Sequence, residues 1–238
     1  MDTFAPVAVV IPAAGLGRRL GGPRRKQFRL LGGKPVLLRT LEVFARHPRV
    51  ERIVVALPAD VEVYVQEQIA RESLEAEVEF TGGGSTRQAS VSRALARITP
   101  ANPDMPVLVH DAVRPFVRQV DIDRVLQAIQ EAGAAALAIP VADTLRKVDD
   151  GWFEKTISRE GVFRMQTPQG ARYRLLKEAF VRAESRGIEA TDEVALLQEA
   201  GMRVRWVPGT PFNIKITTPE DWTFAEHFWP CWEQLQER

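Results

Sequence analysis

Lysine is scarce in this chain, and two lysines stand where a positive charge would count. The 238 residues carry 32 basic side chains, of which six are lysine: Lys26, Lys34, Lys147, Lys155, Lys177 and Lys215. Lys26 follows a small, glycine-rich stretch, Ala13-Ala14-Gly15-Leu16-Gly17-Arg18-Arg19-Leu20-Gly21-Gly22, and the pair Arg24-Arg25. A buried strand feeding such a stretch exposes successive backbone N–H groups with no side chain in the way, which makes a cradle for phosphate. Fixed cations beside it would stabilise a polyphosphate, and stabilise still more a phosphoryl group that gains charge in transit. The other reading of the same residues is a tight turn with solvated arginines. A second glycine cluster, Gly82-Gly83-Gly84-Ser85-Thr86-Arg87, leads into a helical pattern, and Asp111 closes a further apolar run.

Other chemistries fit less well. Leu20 replaces the third glycine of the dinucleotide fingerprint, and no Gly-Lys-Ser/Thr follows at the spacing of a P-loop. The three histidines, His47, His110 and His227, suggest no His/Asp pair for general-base work, and His110 reads as a structural hydrogen-bonding residue at a strand end. No His/Cys/Asp cluster suggests a protein-held metal. The lone Cys231 cannot form an internal disulfide, so a reducing compartment is expected.

The elements that must position these residues alternate. Val7–Pro12 is a β-branched apolar run, the pattern of a buried parallel strand. Further strands are expected over 52–57, 76–80, 106–110, 134–140 and 203–208. Helices are expected over 35–46, 61–71, 88–98, 122–131, 172–186 and 192–200, and from Pro219 onward. Repeated strand, loop and helix predict a doubly wound, mostly parallel α/β sheet with ligands beyond the carboxyl ends of its strands. Residues 143–159 break the rhythm: alternating residues around Asp149-Asp150-Gly151 predict a β-hairpin. Its aromatics Trp152 and Phe153 make it a candidate arm for packing on another subunit. Trp206, Trp222, Trp229 and Trp232 read as packing residues.

Six segments, in order, carry a resemblance. Pro12-Ala13-Ala14-Gly15-Leu16-Gly17-Arg18-Arg19 and Arg25-Lys26-Gln27-Phe28 resemble the signature of sugar- and polyol-phosphate nucleotidyltransferases. Val109-His110-Asp111-Ala112-Val113-Arg114-Pro115, Met165-Gln166-Thr167-Pro168-Gln169, Ala190-Thr191-Asp192-Glu193 and Asn213-Ile214-Lys215-Ile216-Thr217 narrow it to the 2-C-methyl-D-erythritol 4-phosphate cytidylyltransferase family. The resemblance covers nearly the whole chain.

It implies one Rossmann-like nucleotidyltransferase domain over residues 1–238, with a protruding β-hairpin arm at about 141–163. It also implies transfer of CMP from CTP to 2-C-methyl-D-erythritol 4-phosphate, with release of pyrophosphate, in non-mevalonate isoprenoid biosynthesis. By resemblance, Arg19, Lys26, Lys215 and Arg159 would be catalytic. Ala13, Ala14, Gly15, Gly17, Gly82, Gly83, Arg87, Ser90, Asp111 and Ala112 would bind the nucleotide. Asp111, Arg114, Thr144, Thr167, Thr191 and Lys215 would bind the acceptor. Arg159 and Thr167 would be arm-borne and reach the site of the other subunit in a homodimer. Mg²⁺ would be bound mainly through the CTP phosphates. Gly84 stands where the family often has an acidic residue, and Val113 replaces an alanine. The nearest rival is a cytidylyltransferase for ribitol 5-phosphate or another polyol phosphate. A non-catalytic nucleotide-binding module and a dehydrogenase are further alternatives.

The residues themselves agree with phosphate chemistry. An attacking phosphate monoester is already anionic near neutral pH, so the reaction needs aligned cations rather than a strong base. Arg18, Arg19, Lys26, Arg114, Arg159 and Lys215 are the candidates. A formal net charge of +1 implies no global pull toward nucleic acid or a membrane. The first residues lack the pattern of a secretion signal and no apolar run is long enough to span a bilayer, so a cytoplasmic protein is expected.

Overall fold

The computed structural model describes residues 5–15, 20, 25–60 and 62–236. The chain runs β1 (Val7–Pro12), a 3-10 turn (Lys26–Phe28), a short ribbon of β2 (Leu30–Leu31) and β3 (Lys34–Pro35), α1 (Val36–Ala45) and β4 (Val50–Leu57). Next come α2 (Glu62–Ala70), β5 (Glu77–Gly82), α3 (Arg87–Leu95), β6 (Pro106–Val109), α4 (Gln119–Ala132) and β7 (Ala134–Pro140). A hairpin of β8 (Leu145–Asp149) and β9 (Trp152–Ile157) leads to β10 (Phe163–Arg172), α5 (Tyr173–Arg186), α6 (Glu193–Glu199), β11 (Arg205–Pro208) and α7 (Pro219–Gln236).

Seven strands form one sheet in the order β11-β7-β10-β6-β1-β4-β5. Because strand side chains alternate between faces, β1 supplies both cores: Val9 and Ile11 pack toward α1 and α4, Ala8 and Val10 toward α3 and α5. Covering both faces leaves Val9, Val10 and Ile11 without exposed surface, which is why the run carries no polar residue. A third cluster at one end of the sheet holds Leu31, Val113, Phe116 and Ile216 against Trp222, Trp229 and Trp232 of α7. Those three tryptophans are packing residues as expected, while Trp206 is half exposed and donates from Nε1 to the Ala138 carbonyl at 3.0 Å.

The pattern misses one central element. β10 lies between β6 and β7 and runs antiparallel to both. Its register against β7 slips between Met165 and Gln169, so Gln166, Thr167 and Pro168 bulge out of the ladder. Bulges re-aim side chains, and this one turns two polar residues toward the site.

The hairpin of β8 and β9 stands as predicted. Asp150 and Gly151 both have positive φ, 44° and 82°, as a two-residue turn matched to strand twist requires. All of β9 is exposed, with Trp152 and Phe153 at 80% and 76%.

Candidate active site

Strand order reverses beside β1, with β4 and β5 on one side and β6 on the other. A doubly wound sheet opens a crevice at such a point, beyond the carboxyl ends of the strands. The loop after β1 borders it. Ala13 N–H donates to the Ala56 carbonyl at 2.8 Å, and the buried Gln27 amide donates to the carbonyls of Ala13 and Gly15 at 2.7 and 2.9 Å. With both carbonyls drawn toward Gln27, the loop is held by its oxygens. Gln27 had no role in the sequence reading, although it adjoins Lys26 in a recognised segment. Gly17, Arg18 and Arg19 lie outside the described residues.

The second glycine loop leans on the first. Gly83 N–H donates to the Leu57 carbonyl at 2.7 Å, and a Cβ on Gly83 would collide with Ala14. A Cβ on Gly84 would lie 2.9 Å from the carbonyl carbon of Ala89 and 3.1 Å from Ser90 N, inside the first turn of α3. A side chain at Gly84 would force the loop to shift against α3, and the acidic residue the family often has there is absent. Ser85, exposed and bordering the cleft, is the first side chain the loop can offer. Ser90 Oγ donates to the Thr86 carbonyl at 2.9 Å and accepts from Gly84 N–H at 3.0 Å. Its single proton is thus used inside the loop, leaving an acceptor lone pair for a ligand. Thr86 caps α3 by accepting from Ala89 N–H at 3.0 Å, and the helix N-terminus favours negative charge in the cleft.

Asp111 follows β6 and gathers the cations. Its Oδ1 accepts from Arg87 Nε at 3.3 Å, and its Oδ2 from Arg114 Nε at 3.0 Å and Lys215 Nζ at 3.1 Å. Burial opposes the charged form, but Lys215, Arg87 and Arg114 overcome it and hold the carboxyl well below the usual carboxylate range. Arg87 also forks onto Glu193, Nη1 to Oε1 at 2.7 Å and Nη2 to Oε2 at 3.0 Å. Burial alone would lower the guanidinium's pKa; Glu193 and Asp111 raise it instead. All three donor groups of Arg87 therefore face carboxylates, which makes this expected nucleotide contact a clamp between α3, β6 and α6. Glu193 was visible in the sequence only as the last residue of Ala190-Thr191-Asp192-Glu193.

His110 is fully buried and plays the structural part expected of it. Nε2 sits 3.0 Å from the Arg114 carbonyl, which can only accept, so Nε2 carries the proton. Nδ1 then accepts from Thr167 Oγ1 at 3.1 Å, and Thr167 Oγ1 accepts from Asp111 N–H at 3.1 Å. Burial lowers the imidazole pKa to about 3, so the ring stays neutral.

Two adjoining hollows result. A cleft of about 600 Å³ is bordered by Ala13, Ala14, Gly15, Lys26, Gly84, Ser90, Asp111, Ala112 and Lys215 among others. A smaller one of about 240 Å³ is bordered by Arg114, Gln166, Thr167, Gln169, Thr191 and Asp192. Arg87, Asp111 and Lys215 border both. Lys26 Nζ donates to the carbonyl of Ile216, the residue after Lys215, at 3.3 Å, so two lysines distant in sequence converge.

Thr167 needs correcting: it is buried on β10 within its own chain's site, not carried on the arm. Thr144 and Arg159 are exposed at the base of the arm and border neither hollow, and Arg159 Nη1 donates to the Ala142 carbonyl. Among the described residues no three His, Cys, Asp or Glu side chains could hold a metal ion together. Asp111, which borders both hollows, is already engaged by three cations. These residues do not form a built cage for Mg²⁺.

The comparisons with known proteins agree with this geometry. Residues 7–229 match the family described as IspD, 2-C-methyl-D-erythritol 4-phosphate cytidylyltransferase. The chain is 49% identical over 232 residues to the 2-C-methyl-D-erythritol 4-phosphate cytidylyltransferase of Salinibacter ruber, covering 98% of this chain and 96% of that one. It superposes on the crystal structure of the enzyme of that name from Thermus thermophilus with a TM-score of 0.79 and 37% identity, covering 94% and 98% of the two chains. The corresponding Francisella tularensis structure gives a TM-score of 0.81 and 31% identity, covering 94% and 99%. The matched span includes both glycine loops, the Asp111 cluster and Lys215, and the chain belongs to the 2-C-methyl-D-erythritol 4-phosphate cytidylyltransferase family.

Proposed function

We propose that this chain transfers CMP from CTP to 2-C-methyl-D-erythritol 4-phosphate, giving 4-diphosphocytidyl-2-C-methyl-D-erythritol and pyrophosphate, in isoprenoid biosynthesis. The observation that carries this reading is the convergence of Lys26 and Lys215 beside two hollows that share Asp111 and Arg87. The larger hollow suits the nucleotide, between the backbone of Ala13–Gly15 and the α3 N-terminus. The smaller one, with Arg114 and Thr191, suits the acceptor.

In the reaction, a phosphate oxygen of the acceptor attacks the α-phosphorus of CTP. A new P–O bond forms as the bond to the bridging oxygen breaks, and that electron pair leaves with pyrophosphate. The site's task is electrostatic: Lys26 and Lys215 offset the charge gathering on the α-phosphate oxygens and reduce repulsion between two anions. His110, neutral and with both ring nitrogens engaged, takes no proton. Mg²⁺ would travel on the CTP phosphates rather than on protein carboxylates.

The arm supports a homodimer as part of the same proposal. Trp152 and Phe153 expose an apolar surface on a hairpin without a core of its own. Arg159 at its base would contact the acceptor held mainly by the other subunit. A cytoplasmic location follows from the reading of a soluble biosynthetic enzyme. The test is pyrophosphate release with CTP, ATP, GTP and UTP crossed against methylerythritol phosphate and ribitol 5-phosphate. CTP with methylerythritol phosphate is expected to lead. Release only with ribitol phosphate overturns the acceptor assignment, and no release with any acceptor overturns the enzyme.

A further inference from the structure

Lys215 is carried by residues 209–217, which belong to no helix or strand. A lysine has four flexible side-chain torsions, so its ammonium is placed only as well as the backbone beneath it. Four backbone bonds tie this segment to its surroundings and to itself: Gly209 N–H to the Ala138 carbonyl at 3.0 Å, Asn213 N–H to the Thr210 carbonyl at 3.1 Å, Ile214 N–H to the Phe212 carbonyl at 2.7 Å, and Ile216 N–H to the Val113 carbonyl at 3.0 Å. The carbonyls at the two ends of the turn before Lys215, that of Thr210 with a second lone pair beside its bond from Asn213 N–H and that of Asn213, also take side-chain partners.

Both partners come from the β10 bulge and its surroundings. Gln166, 4% exposed, donates from Nε2 to the Thr210 carbonyl at 2.8 Å and to the Asn213 carbonyl at 3.3 Å. Arg114 Nη1 reaches the same Asn213 carbonyl at 2.7 Å, and Asn213 Nδ2 returns a bond to the Thr167 carbonyl at 2.8 Å. The amide of Gln166 cannot be turned over, because its oxygen would then face two groups that only accept. As placed, Oε1 lies buried without a hydrogen-bond partner beside Gly209, where a Cβ would collide with it. Gly209 and Gln166 therefore fit as a pair: the missing side chain admits the amide, and the amide closes the turn.

We infer that Gln166 is a positioning residue for Lys215, acting through the Thr210–Asn213 turn. The inference rests on the cytidylyltransferase reading for its kinetic consequences and on geometry alone for the rest. Gln166 borders the acceptor hollow, and its amide donates to the Thr210 and Asn213 carbonyls rather than to the nucleotide loops. Its removal is therefore felt at Lys215 and not in nucleotide recognition.

The experiment replaces Gln166 by Met, similar in length but without donors, alone and combined with Lys215→Ala. Gln166→Met is expected to lower kcat at least roughly tenfold and to leave CTP affinity, measured by direct titration, within about threefold. In the Lys215→Ala background the same change should cost less than about twofold, because a residue acting through Lys215 has nothing left to act on. Turnover near that of the unmodified protein, or an undiminished further loss in the Lys215→Ala background, overturns the inference. If the unmodified protein shows no activity, the functional reading fails and a second measurement decides this one. Only six lysines are present, so reductive ¹³C-methylation gives few resonances, with Lys215 identified by its loss in Lys215→Arg. A displaced Lys215 signal in Gln166→Met, with the other lysines unmoved, supports positioning; an unmoved Lys215 signal overturns it.

Discussion

Arg87 and Glu193 meet edge to edge, two parallel N–H···O contacts of 2.7 and 3.0 Å joining helices far apart in sequence. Gln88, the next residue of α3, ties down the chain just before α6, donating to the Ile188 carbonyl at 3.0 Å and accepting from Ala190 N–H at 2.9 Å. Two neighbouring side chains of one helix thus set the spacing between the nucleotide loop and the acceptor loop. Glu193→Ala leaves a partly buried guanidinium with only Asp111. The expected loss is about 3–5 kcal/mol, lowering the thermal midpoint by ~10 °C. Equilibrium unfolding measures it, and a loss below about 1 kcal/mol contradicts the clamp. Arg87→Lys should recover little, since an ammonium cannot match the fork.

Lys26 acts on charge that peaks in the transition state. Lys26→Ala should lower kcat at least roughly a hundredfold, comparable with losing one preorganised oxyanion donor. CTP affinity should change far less. A rise in KM for CTP with normal kcat demotes Lys26 to a binding contact.

Acid should loosen the Asp111 cluster. The folded pKa of Asp111 lies below its unfolded value, so its stabilisation is complete above the unfolded carboxylate pKa of about 4 and is lost as pH falls further. His110 has the same sign by burial: folded about 3 against 6.5 unfolded, so its contribution is full above pH 6.5 and declines toward pH 3. Unfolding free energies measured across pH should show Asp111→Asn and the parent separated by a constant gap from about pH 5 to 8 that narrows below about pH 4. A gap that widens in acid contradicts the arrangement.

Much of this was legible in advance. Val7–Pro12 and Ala134–Pro140 declare buried strands by unbroken apolar runs, and the hairpin declares itself by alternation around Asp149-Asp150-Gly151. β10 did not: Phe163–Arg172 carries two arginines, two glutamines, a threonine and a proline, because its side chains serve the site as much as the core. A strand whose polar residues are satisfied by Asp111, His110, Asp192 and the 209–217 segment has no hydrophobic period to read. Thr167 was named as an acceptor contact by resemblance, but it was placed on the arm, whereas the bulge turns it inward within its own chain. Gln27 and Glu193 were within recognised segments, but their hydrogen bonds span loops that only tertiary structure brings together.

Gly84→Ala tests the steric argument for the second loop. The added methyl meets Ala89 and Ser90, and the loop must shift against α3. KM for CTP should rise at least roughly tenfold, with methylerythritol phosphate affinity little changed. Ser85→Ala, where the side chain is exposed, should be mild by comparison.

The arm is tested by mixing subunits. Arg159→Ala and Lys26→Ala chains, each nearly inactive alone, should regain part of the activity when co-assembled. A shared site leaves one of the two sites in a mixed dimer without lesions. If subunit exchange is verified and nothing returns, Arg159 serves its own chain.

The late position of β10 has a consequence for how the protein is made. β6 pairs with β1 on one side, and its other edge is filled only by β10. While the chain emerges from the ribosome, β1, α1, β4, β5, α3 and β6 can assemble through successive crossovers. The outer edge of β6, all apolar, then remains open until the hairpin and Phe163–Arg172 have been synthesised. An open apolar strand edge is a template for pairing with a neighbouring chain. The nascent half-sheet therefore carries an open pairing edge, and the strand that closes it is the one that delivers Thr167 and Gln166 to the site.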